Sequence, residues 1–212
     1  LSMYEISGNP EVLEKARDFA DRMLPAFGTP TGIPTYWVNL RTGRARGDTV
    51  NVAEAGTYTF EMGMLSYYTG DPKYYQAGKK ATRAIFDRRS DIGLIGDVID
   101  VNTGIWVSEN SDICAGVDSY YEYLYKSCLM FGDPELQSIW QESIGPVHSY
   151  IAEEYNNMLW YGRVNMHSGE RTSSVVTLYD AFFPALLVIS GDTARAERLQ
   201  LTWDLLWNRY GL

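Results

Sequence analysis

Apolar and polar positions along the chain fall into two alternating kinds of segment. In the first, Val12, Leu13, Phe19 and Leu24 share a stretch with Glu11, Glu14, Lys15, Arg17, Asp18, Asp21 and Arg22. An apolar stripe opposed by a charged face is the mark of a surface helix. The second kind, such as Tyr58 to Leu65 and Thr177 to Ile189, carries few charges. A helix apolar on most sides is buried on most sides. The alternation predicts outer helices over 10–25, 72–89, 134–155 and 193–209, and inner helices over 52–69, 115–131 and 173–190.

Two short phrases punctuate these segments. Gly8-Asn9-Pro10, Gly70-Asp71-Pro72, Gly132-Asp133-Pro134 and the weaker Gly191-Asp192-Thr193 recur at steps of 62, 62 and 59 residues. Gly ends one helix in a left-handed cap, Asp or Asn caps the next, and Pro fits a first turn. Between them lie Val38 to Gly43, Ile99 to Gly104 and Val164 to Gly169, alternating runs that end in Thr-Gly or Ser-Gly. These read as β-hairpins near 36–46, 94–107 and 160–171. A fixed period of about 60 residues marks a repeat architecture. Concentric rings of helices, an all-α toroid or (α/α) barrel, satisfy the pattern, and so does a solenoid. Hairpin loops all join outer to inner helices, so they belong on one rim, with the Gly-Asp-Pro turns on the other.

Composition narrows the function. Hydrophobic residues are 45% of the chain and aromatics 14%, with 16 Tyr and 6 Trp, which suits a packed body rather than a disordered one. A net charge of −9 argues against nucleic acid as a partner. No apolar run reaches the length of a membrane span. Cys114 and Cys128 read as partly buried free thiols. His148 reads as structural, and His167 as an exposed hairpin-tip residue. The chain carries no nucleotide loop, zinc spacing or nucleophile elbow.

The unusual feature is acid on inner, apolar helices. Glu61 stands within Thr59 to Met64, and Asp118 and Glu122 within Val117 to Leu124. A spacing of four puts Asp118 and Glu122 on one helix face. Carboxylates in an apolar wall need partners. Paired arginines or backbone amides would supply them in a purely structural role. With aromatic neighbours, three such acids favour a pocket of the kind used in sugar binding and glycosidic cleavage. Asp180, on the next inner segment, is a weaker candidate, with a capping role at least as well founded.

The string Ala115-Gly116-Val117-Asp118-Ser119-Tyr120-Tyr121-Glu122-Tyr123-Leu124 resembles the signature of class I α-1,2-mannosidases, glycoside hydrolase family 47. Leu24 to Phe27 leading to Thr31-Gly32-Ile33-Pro34 and Val38-Asn39-Leu40 follows the same family order. So do Glu61-Met62-Gly63 through Thr69-Gly70-Asp71, and Phe182-Phe183-Pro184. The resemblance covers essentially the whole chain. Gly116 stands where processing mannosidases of ER and Golgi carry Arg, which looks like the EDEM-type branch that trims glycans of misfolded glycoproteins.

That resemblance implies an (α/α)7 barrel longer than this chain, with residues 1–212 as its central part, truncated at both ends. It implies inverting hydrolysis of terminal α-1,2-mannose and a bound Ca²⁺ whose main protein ligand lies outside the chain. An inverting pair of carboxyls stands roughly 6.5–9.5 Å apart to admit water. Asp118 falls on one of the family's essential acids, and Glu61 and Glu122 on further acids of the pocket. The implied partners are a high-mannose glycan or glycoprotein, the rest of the barrel and, for the EDEM-type branch, an oxidoreductase of the protein disulfide isomerase type. The implied location is the secretory pathway, in the ER lumen, with a bacterial periplasm or secretion as alternatives. Thr35-Tyr36-Trp37 departs from the family pattern and leaves glycan-branch preference open. A non-catalytic mannose-binding module and a plain helical scaffold are the competing readings. Inner-helix acids count against the scaffold.

Overall fold

The Gly-Asp/Asn turns govern the course of the chain in the computed structural model, which describes residues 1–211 apart from the side chain of Tyr210. Gly8, Gly70 and Gly132 adopt left-handed φ of 63°, 70° and 59° as caps. Lacking Cβ, glycine reaches that region without strain. The following acid or amide starts the next helix. Asn9 Oδ1 accepts the Glu11 N–H at 3.0 Å, and Asp133 Oδ1 the Glu135 N–H at 2.9 Å. These turns join α1 (Ser2–Ser7) to α2 (Pro10–Met23), α4 (Tyr58–Thr69) to α5 (Lys73–Phe86), and α6 (Asp118–Phe131) to α7 (Pro134–Pro146). Gly191-Asp192 likewise joins α8 (Phe183–Ile189) to α9 (Thr193–Tyr210).

The expected inner helices are shorter than the sequence pattern. The 52–69 segment breaks at Gly56-Thr57 into a four-residue helix α3 (Val52–Ala55) and α4. Thr82 Oγ1 donates to the freed Gly56 carbonyl at 3.1 Å, and a Cβ on Gly56 would meet the Tyr120 ring at 2.4 Å. The 115–131 segment turns helical only at Asp118, because Gly116 takes φ +103°. The 173–190 segment opens as a strand end and a 3₁₀ turn, Leu178–Phe182, before α8. The outer segment 134–155 is also corrected. Pro146 removes a backbone donor, a π-turn over Val147–Ile151 follows, and the chain becomes a hairpin of β7 (Ala152–Tyr155) with β8 (Met158–Tyr161). Asn156 and Asn157 form its tip at φ 49° and 64°, the residue type such turns favour.

The three expected hairpins are present: β1 (Trp37–Val38) with β2 (Ala45–Arg46), β4 (Val98–Asp100) with β5 (Trp106–Ser108), and β9 (Arg163–Asn165) with β10 (Arg171–Ser173). Neighbouring units add a third strand to two of them. β3 (Thr49–Asn51) pairs with β4, and β6 (Asn110–Ser111) with β9. Sheets among the described residues stop at three strands.

Hairpins and turns occupy opposite ends of the helix layers. Cβ atoms built on Gly43, Gly104 and Gly169 would each meet a residue just past an outer helix: Pro25, Arg88 and Tyr150. At the other end, Gly70 and Gly132 border one groove, and Tyr75 of α5 donates from its hydroxyl to Asp133 Oδ2 at 2.7 Å. The main core lies between the layers, with Ile85, Tyr120, Leu124, Leu136, Phe183 and Leu187 all buried, and a smaller cluster of Ala20, Met62, Leu65 and Tyr74 packs α2 against α4 and α5.

Helix α5 approaches α4 through Gly78. A Cβ there would lie 2.8 Å from Thr59 Cα and 2.9 Å from Thr59 N. Backbone cannot yield as a side-chain tip can. Gly78→Ala is therefore expected to lower stability by about 1–3 kcal/mol, the usual cost of overpacking. This outweighs the roughly 1 kcal/mol that alanine gains over glycine in a helix. Urea unfolding measures it, and a stabilised variant would contradict the close approach.

Candidate functional site

Helix α6 starts at Asp118, and its first turn presents the carboxylate to the hairpin rim. Asp118 Oδ1 accepts the Ser119 N–H at 2.6 Å and the Ser119 hydroxyl at 2.9 Å. No ion pair forms at this half-buried acid among the described residues. Ser119 in turn lines a cleft of about 510 Å³ between α2, α4 and α6, whose wall includes Glu61, Tyr58, Tyr123, Phe19 and Met62. The cleft thus carries one carboxylate on α4 and, through Ser119, adjoins a second on α6.

Glu61 lies on the open side of α4, and burial against the aromatic wall raises its pKa. The Tyr123 hydroxyl and the Lys126 ammonium pull it back in part. Lys126 Nζ stands 5.1 Å above the Tyr123 ring and donates to Glu122 Oε1 at 2.5 Å. Glu61 and Glu122 therefore flank one Tyr123–Lys126 pair, but Glu122 is paired and does not line the cleft. Asp180 sits elsewhere. It is 3% exposed and closes a capping box with Thr177, whose N–H and hydroxyl both donate to Asp180 Oδ2 at 2.5 and 2.9 Å. Its expected place on an inner-helix wall is thereby corrected: it lies in the 3₁₀ turn and does not line the cleft.

Beneath the α6 N-terminus lies an arrangement that the sequence pattern does not reveal. Asp112, 2% exposed, accepts the Cys114 N–H at Oδ1, 2.8 Å, and faces Arg163 Nε with Oδ2 at 3.3 Å. The latter is an ion pair without hydrogen-bond alignment. Burial pushes the Asp112 carboxyl up to about 6, against the opposing pull of the Cys114 N–H and Arg163. The only local signal was Asp112 itself, an acid three residues ahead of Ala115. Arg163 is 51 positions away, and no periodicity connects the two. His148, as expected, is structural: its Nδ1 bonds the Tyr161 hydroxyl at 2.9 Å, and burial lowers its pKa to about 4. His167 is exposed, and both cysteines are free and buried.

A model of glycosyl hydrolase family 47 matches residues 1–210. The chain belongs to that family. Alpha-mannosidase I MNS4 of Arabidopsis thaliana is 40% identical over 207 residues, covering 97% of this chain and 32% of that protein. ER degradation-enhancing alpha-mannosidase-like protein 2 of Homo sapiens is 37% identical over 202 residues, covering 94% of this chain and 34% of its own. The solved α-1,2-mannosidase from Trichoderma reesei superposes with a TM-score of 0.76 at 23% identity, over 90% of this chain and 41% of that one. The chain spans about a third of the length of the curated relatives it matches. The expected arc of (α/α)7 helix pairs agrees with that superposition. Among the described residues of this family 47 chain, no three His, Cys, Asp or Glu side chains are placed to hold a metal ion. The Ca²⁺ expected for a full domain thus has no ready-made cluster of acidic ligands among the described residues.

Proposed function

We propose that this chain contributes the Asp118 wall of the active site in an α-1,2-mannosidase that trims high-mannose N-glycans with inversion. The observation that carries the reading is the carboxylate of Asp118 at the first position of α6, without a cationic partner among the described residues and bonded to Ser119, which lines a cleft walled by Glu61 and tyrosines. A free carboxylate is able to take a proton from water, whereas one locked to Arg or Lys is held ionised and occupied. In this reading a water attacks the anomeric carbon and gives its proton to Asp118. The glycosidic oxygen leaves with a proton from an acid outside these residues. Glu61 and the rings of Tyr58 and Tyr123 hold sugar hydroxyls and faces.

The names of the relatives, ER degradation-enhancing alpha-mannosidase-like proteins, support a mannose-bearing substrate and a setting in ER degradation. A glycoprotein client in the ER lumen and a thiol oxidoreductase partner belong to the same EDEM-type reading of the whole protein. The test uses full-length protein and α-1,2-mannobiose, followed by proton NMR during the first minutes. The expected first product is β-mannose, the inverted anomer. Release of α-mannose would overturn the inverting role, and binding without release would establish the lectin-like alternative.

A further inference from the structure

We propose that Arg163 and Asp112 are positioning residues that fix where the α6 N-terminus presents Asp118, an inference that rests on the reading of Asp118 as the general base. The loop from Asp112 to Val117 delivers that helix. Its geometry is set by one carbonyl: Cys114 O accepts both the Val117 N–H at 3.0 Å and the Asp118 N–H at 2.8 Å. Cys114 is itself held on three sides. Asp112 Oδ1 accepts its N–H at 2.8 Å. Arg163 Nη2 donates to its sulfur at 3.3 Å. The Thr177 hydroxyl lies 3.0 Å from the same sulfur.

Each of those groups comes from a different element. Arg163 begins β9, whose strand neighbour β6 leads into Asp112. Thr177 caps the 3₁₀ turn ahead of α8 and is fixed by Asp180. A guanidinium that donates to the Cys114 sulfur through Nη2 and stands in ion-pair contact with the Asp112 carboxylate through Nε joins β9 to the loop from two positions of one planar fork, which a single flexible ammonium cannot reproduce. The Gly116 conformation, φ +103°, gives the loop no helical constraint of its own just before Asp118. The Ala53 N–H donates to the Gly116 carbonyl at 2.9 Å and ties the loop to α3 at that one point; without the brace at Cys114 the rest of the segment has soft dihedrals, and the carboxylate wanders relative to the cleft.

A displacement of about 1 Å at a reacting group costs on the order of 100-fold in rate. In the full-length protein, Arg163→Met and Asp112→Ala are each expected to lower kcat for α-1,2-mannobiose about 10- to 100-fold. KM, and the Kd of a thio-linked α-1,2-mannobioside, stay within about threefold, because ground-state sugar contacts are untouched. Arg163→Lys recovers part of the loss. Asp112→Asn recovers more than Asp112→Ala, since its Oδ1 still accepts the Cys114 N–H. The double variant is no worse than either single, as residues acting as one unit are not additive.

Amide exchange at Val117 and Asp118 supplies a readout independent of turnover and rises in Arg163→Met. Unchanged kcat and unchanged exchange in folded variants would overturn the proposal, as would losses that multiply in the double variant. If Arg163→Met fails to fold, Arg163→Lys and Asp112→Asn decide by the same two measurements. If Asp118→Asn retains turnover, the reading of Asp118 as base falls and this proposal falls with it. If Asp118→Asn is inactive while the brace variants are normal in both readouts, the positioning role alone is wrong.

Discussion

Asp118→Asn in the full-length protein is expected to lower mannose release by about 10²- to 10⁴-fold, the usual contribution of a positioned general base. The asparagine oxygen is isosteric and still accepts the Ser119 N–H and hydroxyl, the two side-chain bonds Asp118 makes. What it loses is charge and basicity. The fold gives up little. A carboxylate in the first turn of a helix is worth roughly 0.3–1 kcal/mol through the helix dipole, and no buried ion pair depends on it. Melting temperature and affinity for a thio-linked disaccharide therefore stay near those of the parent while turnover collapses. Glu61→Gln is the informative companion. Glu61 faces the cleft beside Tyr123 rather than leading α6, so its loss is expected in KM as well as kcat. An Asp118→Asn enzyme that keeps more than about a tenth of parental activity would remove Asp118 from the proton transfer, because a base contributing less than tenfold falls below the range for such groups.

The parts of this structure that were legible in the sequence are those governed by local chemistry. Gly70 and Gly132 announce helix ends because only glycine enters the left-handed region freely, and Asp133 announces the next start because its side chain reaches amides two and three residues on. The hairpins followed from alternation and a Thr-Gly or Ser-Gly tip. Misread segments are those where two local signals compete. Pro146 lies within an outer-helix pattern, and the apolar periodicity continues past it through Ile151 although the backbone ladder cannot. Thr177 and Asp180 hold a visible Thr-x-x-Asp cap pattern, but the apolar run after them favoured a longer inner helix. Glu122 was placed by the four-residue spacing from Asp118, and the same spacing supplies Lys126, which neutralises it. Asp112 and Arg163 meet only through β6–β9 pairing and the loop that follows, a long-range fact that no window of sequence contains.

Asp133→Ala is expected to destabilise the outer layer by about 2–4 kcal/mol. One oxygen caps α7, accepting the Glu135 N–H at 2.9 Å and, more weakly, the Leu136 N–H at 3.4 Å; such caps are worth about 1 kcal/mol. The other accepts from the Tyr75 hydroxyl at 2.7 Å and Lys79 Nζ at 2.6 Å, tying α5 to α7. Side chains here are 23% and 14% exposed for Lys79 and Asp133, so the pair is screened less than a surface one, and hydrogen bonds to charged groups contribute about 1.5–3 kcal/mol. Lys79 keeps Glu135 at 2.7 Å, which limits the loss. A fall of about 5–15 °C in melting temperature follows for a domain of this size. Asp133→Asn retains the cap oxygen and loses the charge, so it falls between alanine and parent. The pH dependence fixes the cause. Burial alone would raise the Asp133 pKa, but the Lys79, Tyr75 and Glu135 bonds more than offset it and hold the folded value below 3.8. A carboxyl depressed in the folded state contributes stability that is complete above its unfolded pKa and is lost as pH falls through its folded pKa. The gap between parent and Asp133→Ala should therefore be constant from pH 7 down to about 5. It should then narrow below about pH 4, near the unfolded carboxyl pKa. Thermal melts across that range measure it, and a gap that persists undiminished into strong acid would mean that the alanine acts through packing rather than through the carboxylate.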